Sequence, residues 1–260
     1  MKYRDLTIQE ILPHQYLVVA CDSSSGVGEK EGDNFFCPTR VVGAYCARVC
    51  LFELISSGVT PTVLVHMVGD SWEPTGREAY LGIQEELKKA GFEDVEINGS
   101  TEENMLTTMT SINITAMGIR HSLPPKMALR EGDVLLLYGI PRVGPDVLTY
   151  EEEHVTYEEL RAICNFLGVA DVLPIGSRGA ASEVRQMAET HHLKSTLYGS
   201  MEEVKSIFPF VVNELDGFDY RELQLASGGP STSILVGISR DMVENFIRTF
   251  PRAVPVAVLG

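Results

Sequence analysis

The stretch Asp22-Ser23-Ser24-Ser25-Gly26-Val27-Gly28-Glu29-Lys30 follows the apolar run Tyr16–Cys21. The apolar run predicts a buried strand, and the glycine-containing stretch predicts a loop at its end. Glycines let the backbone approach a ligand closely, N–H groups in such a loop can bind phosphate oxygens, and a lysine adds positive charge. The Asp22 carboxylate is a ligand type that Mg²⁺ prefers. The stretch therefore favours a nucleotide-phosphate site, with an ordinary Gly-Ser loop as the alternative.

The common nucleotide-binding glycine motifs are missing from this sequence. Neither G-x-x-x-x-G-K-[ST] nor a G-x-G-x-x-G turn between a strand and a helix occurs. A G-x-S-x-G nucleophile motif is also absent, and the six histidines show no metal-ligand spacing. The sequence therefore gives no support for covalent catalysis.

Length and charge limit the possible functions. The 260 residues are 44% hydrophobic and carry a formal net charge of −15. This length fits one large domain or two of about 130 residues. An acidic chain repels nucleic acid and anionic membranes, so we expect neither as a partner, and nucleotide binding would need metal ions. No apolar run reaches the ~20 residues of a membrane-spanning helix, and the N-terminus does not resemble a signal peptide. We expect a soluble, cytoplasmic protein.

The five cysteines favour reduced thiols over a metal site. Cys46 and Cys50 lie four residues apart on a predicted helix, and no C-x-x-C pair occurs. A zinc site would need two further ligands nearby, and none is evident. Small buried thiols in a reducing cytoplasm are the favoured interpretation.

Hydrophobic periodicity predicts strands that alternate with helices, and therefore an α/β or α+β fold. Two strands are predicted within residues 1–21, and the acidic run Glu151–Glu153 is the best domain boundary. Further strands are predicted over residues 62–68, 95–97, 107–119, 134–138, 170–175, 210–214, 233–238 and 254–259, and a turn over 217–220. Helices are predicted over residues 41–57, 76–90, 156–167, 180–191, 201–208 and 240–250, with Thr39 as the cap of the first and Thr75 as the cap of the second.

Two further segments of the first half carry candidate ligands. Glu53, on the first predicted helix, is a candidate second carboxylate for the cation, with a solvent-facing side chain as the alternative. The segment Asn98–Asn104 places two hydroxyls and two carboxylates directly after a strand, where open α/β folds bind ligands. Its alternative interpretation is a helix-capping sequence.

Two glycine-containing segments of the second half are candidates for anion or hydroxyl binding. Gly176-Ser177-Arg178-Gly179 precedes a predicted helix, and a helix N-terminus with an adjacent arginine can bind an anion. A capped helix with a surface arginine is the alternative. The segment Ser227–Thr232 could bind substrate hydroxyls or act only as a hinge.

Four motifs, in this order, resemble those of the aminoimidazole ribonucleotide synthetase superfamily, which includes thiamine-phosphate kinase, selenophosphate synthetase and hydrogenase maturation protein E. They are Asp22 with Gly26–Lys30, the helix text Leu51–Pro61 with Glu53 in place of the usual Asp, Asn98–Glu102, and Gly132-Asp133-Val134. Within the superfamily, the segments Ala20–Ser24, Gly99–Asn104 and Leu173–Gly179 look most like those of the alpha-ribazole kinases.

The resemblance implies a two-domain α/β fold. Residues 1–145 would bind ATP and Mg²⁺, and their sheet would form a barrel across a homodimer, while residues 146–260 would cover the acceptor. The implied activity is ATP-dependent phosphorylation of the ribose 5′-hydroxyl of a nucleoside-like acceptor such as alpha-ribazole. A ligase or cyclase of the same superfamily, acting on an amide or acyl substrate, and a non-catalytic nucleotide-binding scaffold remain alternatives.

The resemblance also implies roles for individual residues. Mg²⁺ would be held by Asp22, Glu53 and Glu102. ATP phosphates would be held by Lys30 and by the chain around the residues Gly26, Gly28, Gly99, Ser100 and Thr101, and Arg178 would face the acceptor or a phosphate. Ser100 stands where the superfamily has a carboxylate, so either Glu102 or Glu103 would take over that role or one metal position would be lost.

Overall fold

The computed structural model describes residues 1–212 and 218–260, which form a mixed α/β fold. They divide into two compact units, Met1–Leu123 and Pro124–Gly260. The predicted alternation of strands and helices is thus confirmed. Within the described ranges, no helix is long and apolar enough to span a bilayer.

A six-stranded sheet organises the first unit, with strand order β1-β2-β3-β8-β6-β7. The pair β6–β7 is parallel, and the other neighbouring strands are antiparallel. A separate pair, β4–β5, is parallel. The strands of this unit are β1 (Lys2–Tyr3), β2 (Leu6–Leu12), β3 (Gln15–Ser25), β4 (Val27–Gly28), β5 (Phe35–Phe36), β6 (Thr60–Val68), β7 (Glu96–Thr101) and β8 (Ser111–Arg120).

Two long helices complete the first unit. Helix α1 (Thr39–Ser56) packs on β3 and β8, and α2 (Arg77–Lys89) packs on α1. The contact between the helices is close, because a Cβ at Gly82 would lie 1.8 Å from the Arg40 carbonyl oxygen. Gly58 follows α1 with φ +73°, as the predicted helix end requires.

Two strands are longer than the sequence predicts. β3 continues through Ser25 and β7 through Thr101, so Asp22 and the Gly99–Thr101 segment lie in strands, not in loops. The cause is tertiary: residues 22–25 pair with Ile114–Ser111 of β8, and residues 99–101 pair with residues 66–68 of β6. Backbone pairing across the sheet overrides the low strand propensity of serine and glycine here.

The predicted helix starts also need correction. Thr39 is the first residue of α1 and supplies no cap through its side chain. Thr75, the predicted cap of α2, lies in a π-helical turn, Trp72–Gly76, that leads into the helix. The strand predicted over residues 107–119 begins only at Ser111.

A five-stranded antiparallel sheet organises the second unit, with order β10-β12-β9-β13-β11. Its strands are β9 (Val134–Tyr138), β10 (Val169–Pro174), β11 (Ser195–Leu197), β12 (Ile234–Ile238) and β13 (Ala253–Leu259). Its helices are α3 (Pro145–Thr149), α4 (Tyr157–Cys164), α5 (Ala180–Thr190), α6 (Met201–Ile207), α7 (Tyr220–Leu225) and α8 (Val243–Thr249), with 3₁₀ turns at Glu151–Glu153 and Arg240–Met242.

The division between the units falls at residues 123/124, whereas the resemblance places it near 145/146 and the acidic run places it at residues 151–153. The reason is β9, which pairs with β12 and β13 in the middle of the second sheet. The acidic run Glu151–Glu153 forms a 3₁₀ turn within the second unit. The functions predicted for the two domains stay predictions.

Two details of the predicted architecture can be compared only in part. Residues 213–217 lie outside the described residues, and with them parts of the strand predicted over 210–214 and of the turn predicted over 217–220. The described residues 210–212 form no strand, and Tyr220 begins α7. In the described part of the chain, the first sheet is open from β1 to β7 and forms no closed barrel.

Candidate active site

Lys30 joins three separate segments of the first unit. Its Nζ lies 2.6 Å from Asp70 Oδ2 and donates to the Thr107 carbonyl oxygen at 2.7 Å and to Thr107 Oγ1 at 2.9 Å. The ammonium group is partly buried, with 23% of its side chain exposed. Lys30 therefore ties its own loop to the chain that follows β6 and to the chain that precedes β8.

Asp33 reinforces the same loop. Its carboxylate accepts hydrogen bonds from the Lys30 N–H at 2.9 Å, and from the N–H and the hydroxyl of Thr110, both at 2.8 Å. Burial alone would raise the pKa of Asp33, but these hydrogen bonds and the charge of Lys30 hold the pKa below its usual value. The charged carboxylate thus fixes the loop against the start of β8.

Asp70 is the buried anion of this group. It follows β6, and its Oδ1 accepts from the Ser71 N–H at 2.8 Å. Burial would raise the pKa of Asp70, but hydrogen bonds from Lys30, Thr75 and the Ser71 N–H, together with the Lys30 charge, hold it below its usual value. Asp70 is not among the residues predicted from the sequence, although an acidic residue just after a predicted strand is the pattern that identifies Asp22.

Glu102 and Glu103 lie next to this cluster but in different settings. The backbone N–H of Glu102 donates to the Asp70 carbonyl oxygen at 2.9 Å, while its carboxylate accepts from the N–H groups of Asn104 and Met105. Glu103 Oε1 accepts from Thr101 Oγ1 at 2.6 Å and from the Trp72 N–H at 2.9 Å. The described residues between β7 and β8 form no helix, so the helix-capping alternative is wrong: the Glu102 carboxylate closes a bend at Asn104 and Met105, and Glu103 couples the end of β7 to the chain after β6.

Hydrogen bonding perturbs the acidity of Glu103. The hydrogen bond from Thr101 is the main cause that lowers its pKa, helped by the Trp72 N–H, while the nearby charge of Asp70 opposes the change. Glu103 and Asp70 are therefore electrostatically coupled. The structure brings Lys30, Asp70, Thr101 and Glu103 into one network.

Asp22 and Glu53 both act on the pKa of a buried cysteine. Burial raises the pKa of Asp22, and hydrogen bonds from the Cys46 thiol and the Ser23 N–H only partly offset this effect. Burial also raises the pKa of the Cys50 thiol, and the charge of Asp22 and, to a smaller extent, that of Glu53 raise it further. Glu53 itself lies on α1, three residues after Cys50.

The glycines that were predicted to contact phosphates are engaged within the chain. The Gly26 N–H donates to the Thr110 carbonyl oxygen at 3.0 Å, and the Gly99 N–H donates to the Asn98 side chain at 2.8 Å. A Cβ at Gly28 would lie 2.2 Å from Thr110 Oγ1, so its lack of a side chain permits the loop to pack on β8. Ser100 is exposed on β7.

The three predicted metal ligands lie on different elements. Asp22 is on β3, Glu53 is on α1, and Glu102 follows β7, where its N–H donates to the Asp70 carbonyl oxygen. Among residues 1–212 and 218–260, no three His, Cys, Asp or Glu side chains form a group that could hold a metal ion. The assignment of Mg²⁺ to Asp22, Glu53 and Glu102 stays a prediction.

Arg178 lies in the second unit, in the exposed turn before α5. Gly179, with φ +78°, precedes the helix, and no side chain caps the first turn. The turn is held by the Gly179 N–H, which donates to the Gly176 carbonyl oxygen at 3.1 Å. Anion binding by Arg178 at the start of α5 stays a prediction.

Similarity to known structures defines the class of fold. The chain shares its fold with a thiamine monophosphate kinase, a PurL and HypE, among them two kinds of protein that the sequence motifs resemble. One is the thiamine monophosphate kinase of Aquifex aeolicus, with a TM-score of 0.64 and 16% identity over 99% of this chain and 89% of that chain.

Two further structures share the fold. The TM-score is 0.63 with T. maritima PurL complexed with AMPPCP, at 14% identity over 94% of this chain and 40% of that chain. It is 0.59 with E. coli HypE, a hydrogenase maturation protein, at 16% identity over 93% of this chain and 79% of that chain. No family model and no curated protein matches the sequence. At these identities the likeness establishes the fold alone.

Proposed function

We propose that this protein is an ATP- and Mg²⁺-dependent small-molecule kinase that phosphorylates the ribose 5′-hydroxyl of a nucleoside-like acceptor, with alpha-ribazole as the specific candidate. The observation that carries the proposal is the network of Lys30, Asp70, Thr101 and Glu103, where a lysine and acidic side chains meet at the ends of two neighbouring strands. The fold shared with a thiamine monophosphate kinase supports a kinase, and the spelling of three sequence segments supports the acceptor.

The carboxylates of the first unit fit Mg²⁺. Magnesium in phosphate-transfer sites is commonly held by one or two carboxylates together with phosphates and waters, so a cage of three carboxylates is not required. Burial raises the pKa of Asp22, whose hydrogen-bond donors are uncharged, and a neighbouring cation would favour its charged form. Of the candidate ligands Asp22, Glu53 and Glu102, one or two would hold the ion together with phosphates and waters, and the ion would neutralise phosphate charge when bound.

The proposed reaction needs positioning more than covalent chemistry. The acceptor hydroxyl oxygen forms a bond to the γ-phosphorus, the bond from that phosphorus to the bridging oxygen of ADP breaks, and the hydroxyl proton passes to water. Lys30 and the chain around Gly26, Gly28 and Gly99–Thr101 would hold the phosphates, and Arg178 would orient the acceptor or a phosphate. Such positioning and charge stabilisation account for most phosphoryl-transfer catalysis.

A homodimer is the second part of the proposal. On the sheet face opposite α1, Val19, Met117 and Val63 form a cross-strand row of half-buried apolar side chains. Covering this row with the same row of a second copy would bury apolar surface in a symmetric interface. Light scattering after size exclusion should show a dimer for the wild type and a monomer for Met117→Asp. A monomeric wild type would contradict this part of the proposal.

The activity test is direct. The protein is incubated with Mg-ATP and alpha-ribazole, and mass spectrometry looks for ADP together with a phosphorylated riboside, with a chelator reaction as the control. Asp22→Asn should lose turnover while keeping the fold, and Glu85→Gln, in a surface ion pair with Arg40, should match the wild type.

Other outcomes separate the alternative functions. Formation of ADP only with an amide-bearing acceptor would favour a ligase or cyclase. Tight ATP binding without ADP formation would favour a non-catalytic scaffold. Full turnover by Asp22→Asn would remove the proposed metal role of that carboxylate.

A further inference from the structure

The ammonium group of Lys30 has three close oxygen neighbours. A lysine ammonium has three N–H donors and no acceptor. In this structure two of them donate to the carbonyl and hydroxyl oxygens of Thr107, and the charged group forms an ion pair with Asp70 Oδ2 at 2.6 Å. Because both hydrogen bonds of the ammonium go to Thr107, an ATP phosphate that contacts Lys30 competes with Thr107.

The three partners differ in how strongly they hold the lysine. The Asp70 side chain is 8% exposed, and its oxygen gives the shortest of the three contacts, at 2.6 Å. Opposite charges attract more strongly where water is partly excluded, and removing one member of a buried ion pair leaves an uncompensated charge. The neutral oxygens of Thr107 are therefore the partners that a phosphate oxygen would replace.

Asp70 is itself held firmly in place. It lies directly after Gly69, whose N–H donates to the Ser111 carbonyl oxygen at 2.9 Å. Its carbonyl oxygen accepts from the Glu102 N–H, and its Oδ1 accepts from the Ser71 N–H. The backbone at residues 69 and 70 is thus fixed to the start of β8 and to the chain after β7, and the Asp70 carboxylate is oriented by the Ser71 N–H.

We propose that Asp70 is a positioning residue that holds the Lys30 ammonium at the ends of β6 and β7, from where Lys30 exchanges Thr107 for an ATP phosphate. The inference rests on the proposed nucleotide site. It adds to that site a residue that touches Lys30 and not the substrate. Asp70 acts through Lys30, so the two residues should behave as one unit in any measurement of nucleotide use.

The test is a double-mutant cycle with Lys30→Gln, Asp70→Asn and the double variant. Asp70→Asn should raise KM for Mg-ATP so that kcat/KM falls by about tenfold or more, because misplacing a contacting group is that costly. The double variant should be no worse than Lys30→Gln, since coupled residues are not additive. Glu85→Gln should match the wild type. The inference would be overturned if the losses of kcat/KM in the two single variants added up in the double variant. It would also be overturned if Asp70→Asn had the kcat/KM of the wild type.

A second measurement does not depend on activity. Amide hydrogen exchange of peptides covering residues 26–34 and 105–111 should accelerate in Asp70→Asn relative to Glu85→Gln. If exchange accelerates but the wild type neither binds AMPPCP nor forms ADP, the proposed function fails while the hold of Asp70 on Lys30 stands. If the wild type is active and exchange in Asp70→Asn is unchanged, the positioning role is wrong and the proposed function survives.

Discussion

The carboxylate of Glu29 accepts a hydrogen bond from the backbone N–H of Thr39, the first residue of α1, at 2.9 Å. The first N–H groups of a helix have no partner within the helix, and Pro38 offers no capping side chain. A negative charge there also interacts favourably with the helix dipole. The neighbouring residues Glu29 and Lys30 therefore have different roles: Glu29 caps the start of α1, and Lys30 forms an ion pair with Asp70.

Removing this distant cap should weaken the first unit. We expect Glu29→Ala to lower the free energy of unfolding by about 1 kcal/mol, the usual effect of losing a helix cap. For a chain of this size, that loss corresponds to a decrease in Tm of about 2–4 °C. Differential scanning calorimetry provides the measurement, with Glu31→Ala as the control at an exposed neighbouring carboxylate. Equal decreases in the two variants would argue against the cap.

The Asp33 carboxylate gives a second prediction, which depends on pH. Asp33→Ala removes three hydrogen bonds to a charged group and should cost about 2 kcal/mol at pH 7, allowing for partial exposure. Because the folded-state pKa of Asp33 is lowered, its stabilisation is present above the unfolded value of 3.8 and is lost as the pH falls through the folded value. Urea unfolding should show a smaller difference between wild type and variant at pH 3 than at pH 7. A difference that does not depend on pH would contradict this.

The sequence predicts the elements of the fold well where local pattern and tertiary pairing agree. The end of α1 at Gly58 is an example, because a glycine after a periodic apolar run is a local property. The extent of β3 is the opposite case. Three serines in a row predict a loop, yet residues 22–25 pair with β8 residues about 90 positions away in sequence. That pairing is visible only in the folded chain.

The candidate site shows the same limit. Lys30 could be found because a lysine in a glycine-containing loop is a local motif, whereas its partner Thr107 is 77 residues away. The pairing of Asp70 with Lys30 could not be predicted for a similar reason, since nothing near Asp70 in sequence indicates a lysine partner. The sequence places Glu29 in a predicted phosphate loop. The hydrogen bond that its carboxylate accepts from the Thr39 N–H is visible only in the folded chain, where the loop lies beside the start of α1.

The burial of Asp22 predicts a conflict between stability and function. An acid whose pKa is raised in the folded state stabilises the fold only below its unfolded value, here 3.8, and that contribution is lost as the pH rises through the folded value. At pH 7 the buried charge therefore costs stability. We expect Asp22→Asn to have a higher Tm than the wild type at pH 7 and an equal Tm at pH 3, measured by circular dichroism. A lower Tm at pH 7 would mean that the charged carboxylate is compensated in the fold.

Gly99 provides the last prediction, because its lack of a side chain has two possible explanations. A Cβ at this position would lie 2.4 Å from the His66 carbonyl oxygen and 2.6 Å from His66 Cδ2, so β6 and β7 must separate to admit it. We expect Gly99→Ala to lose about 1–3 kcal/mol of stability, as overpacked sites do.

Ser100→Ala, at the next and exposed position, should stay within about 0.5 kcal/mol of the wild type. Chemical denaturation and AMPPCP titration of both variants separate the two explanations. If Gly99→Ala loses both stability and AMPPCP binding, the result would assign Gly99 to the packing of β7 on His66. Loss of AMPPCP binding at unchanged stability would instead assign it to close approach of a phosphate to the backbone.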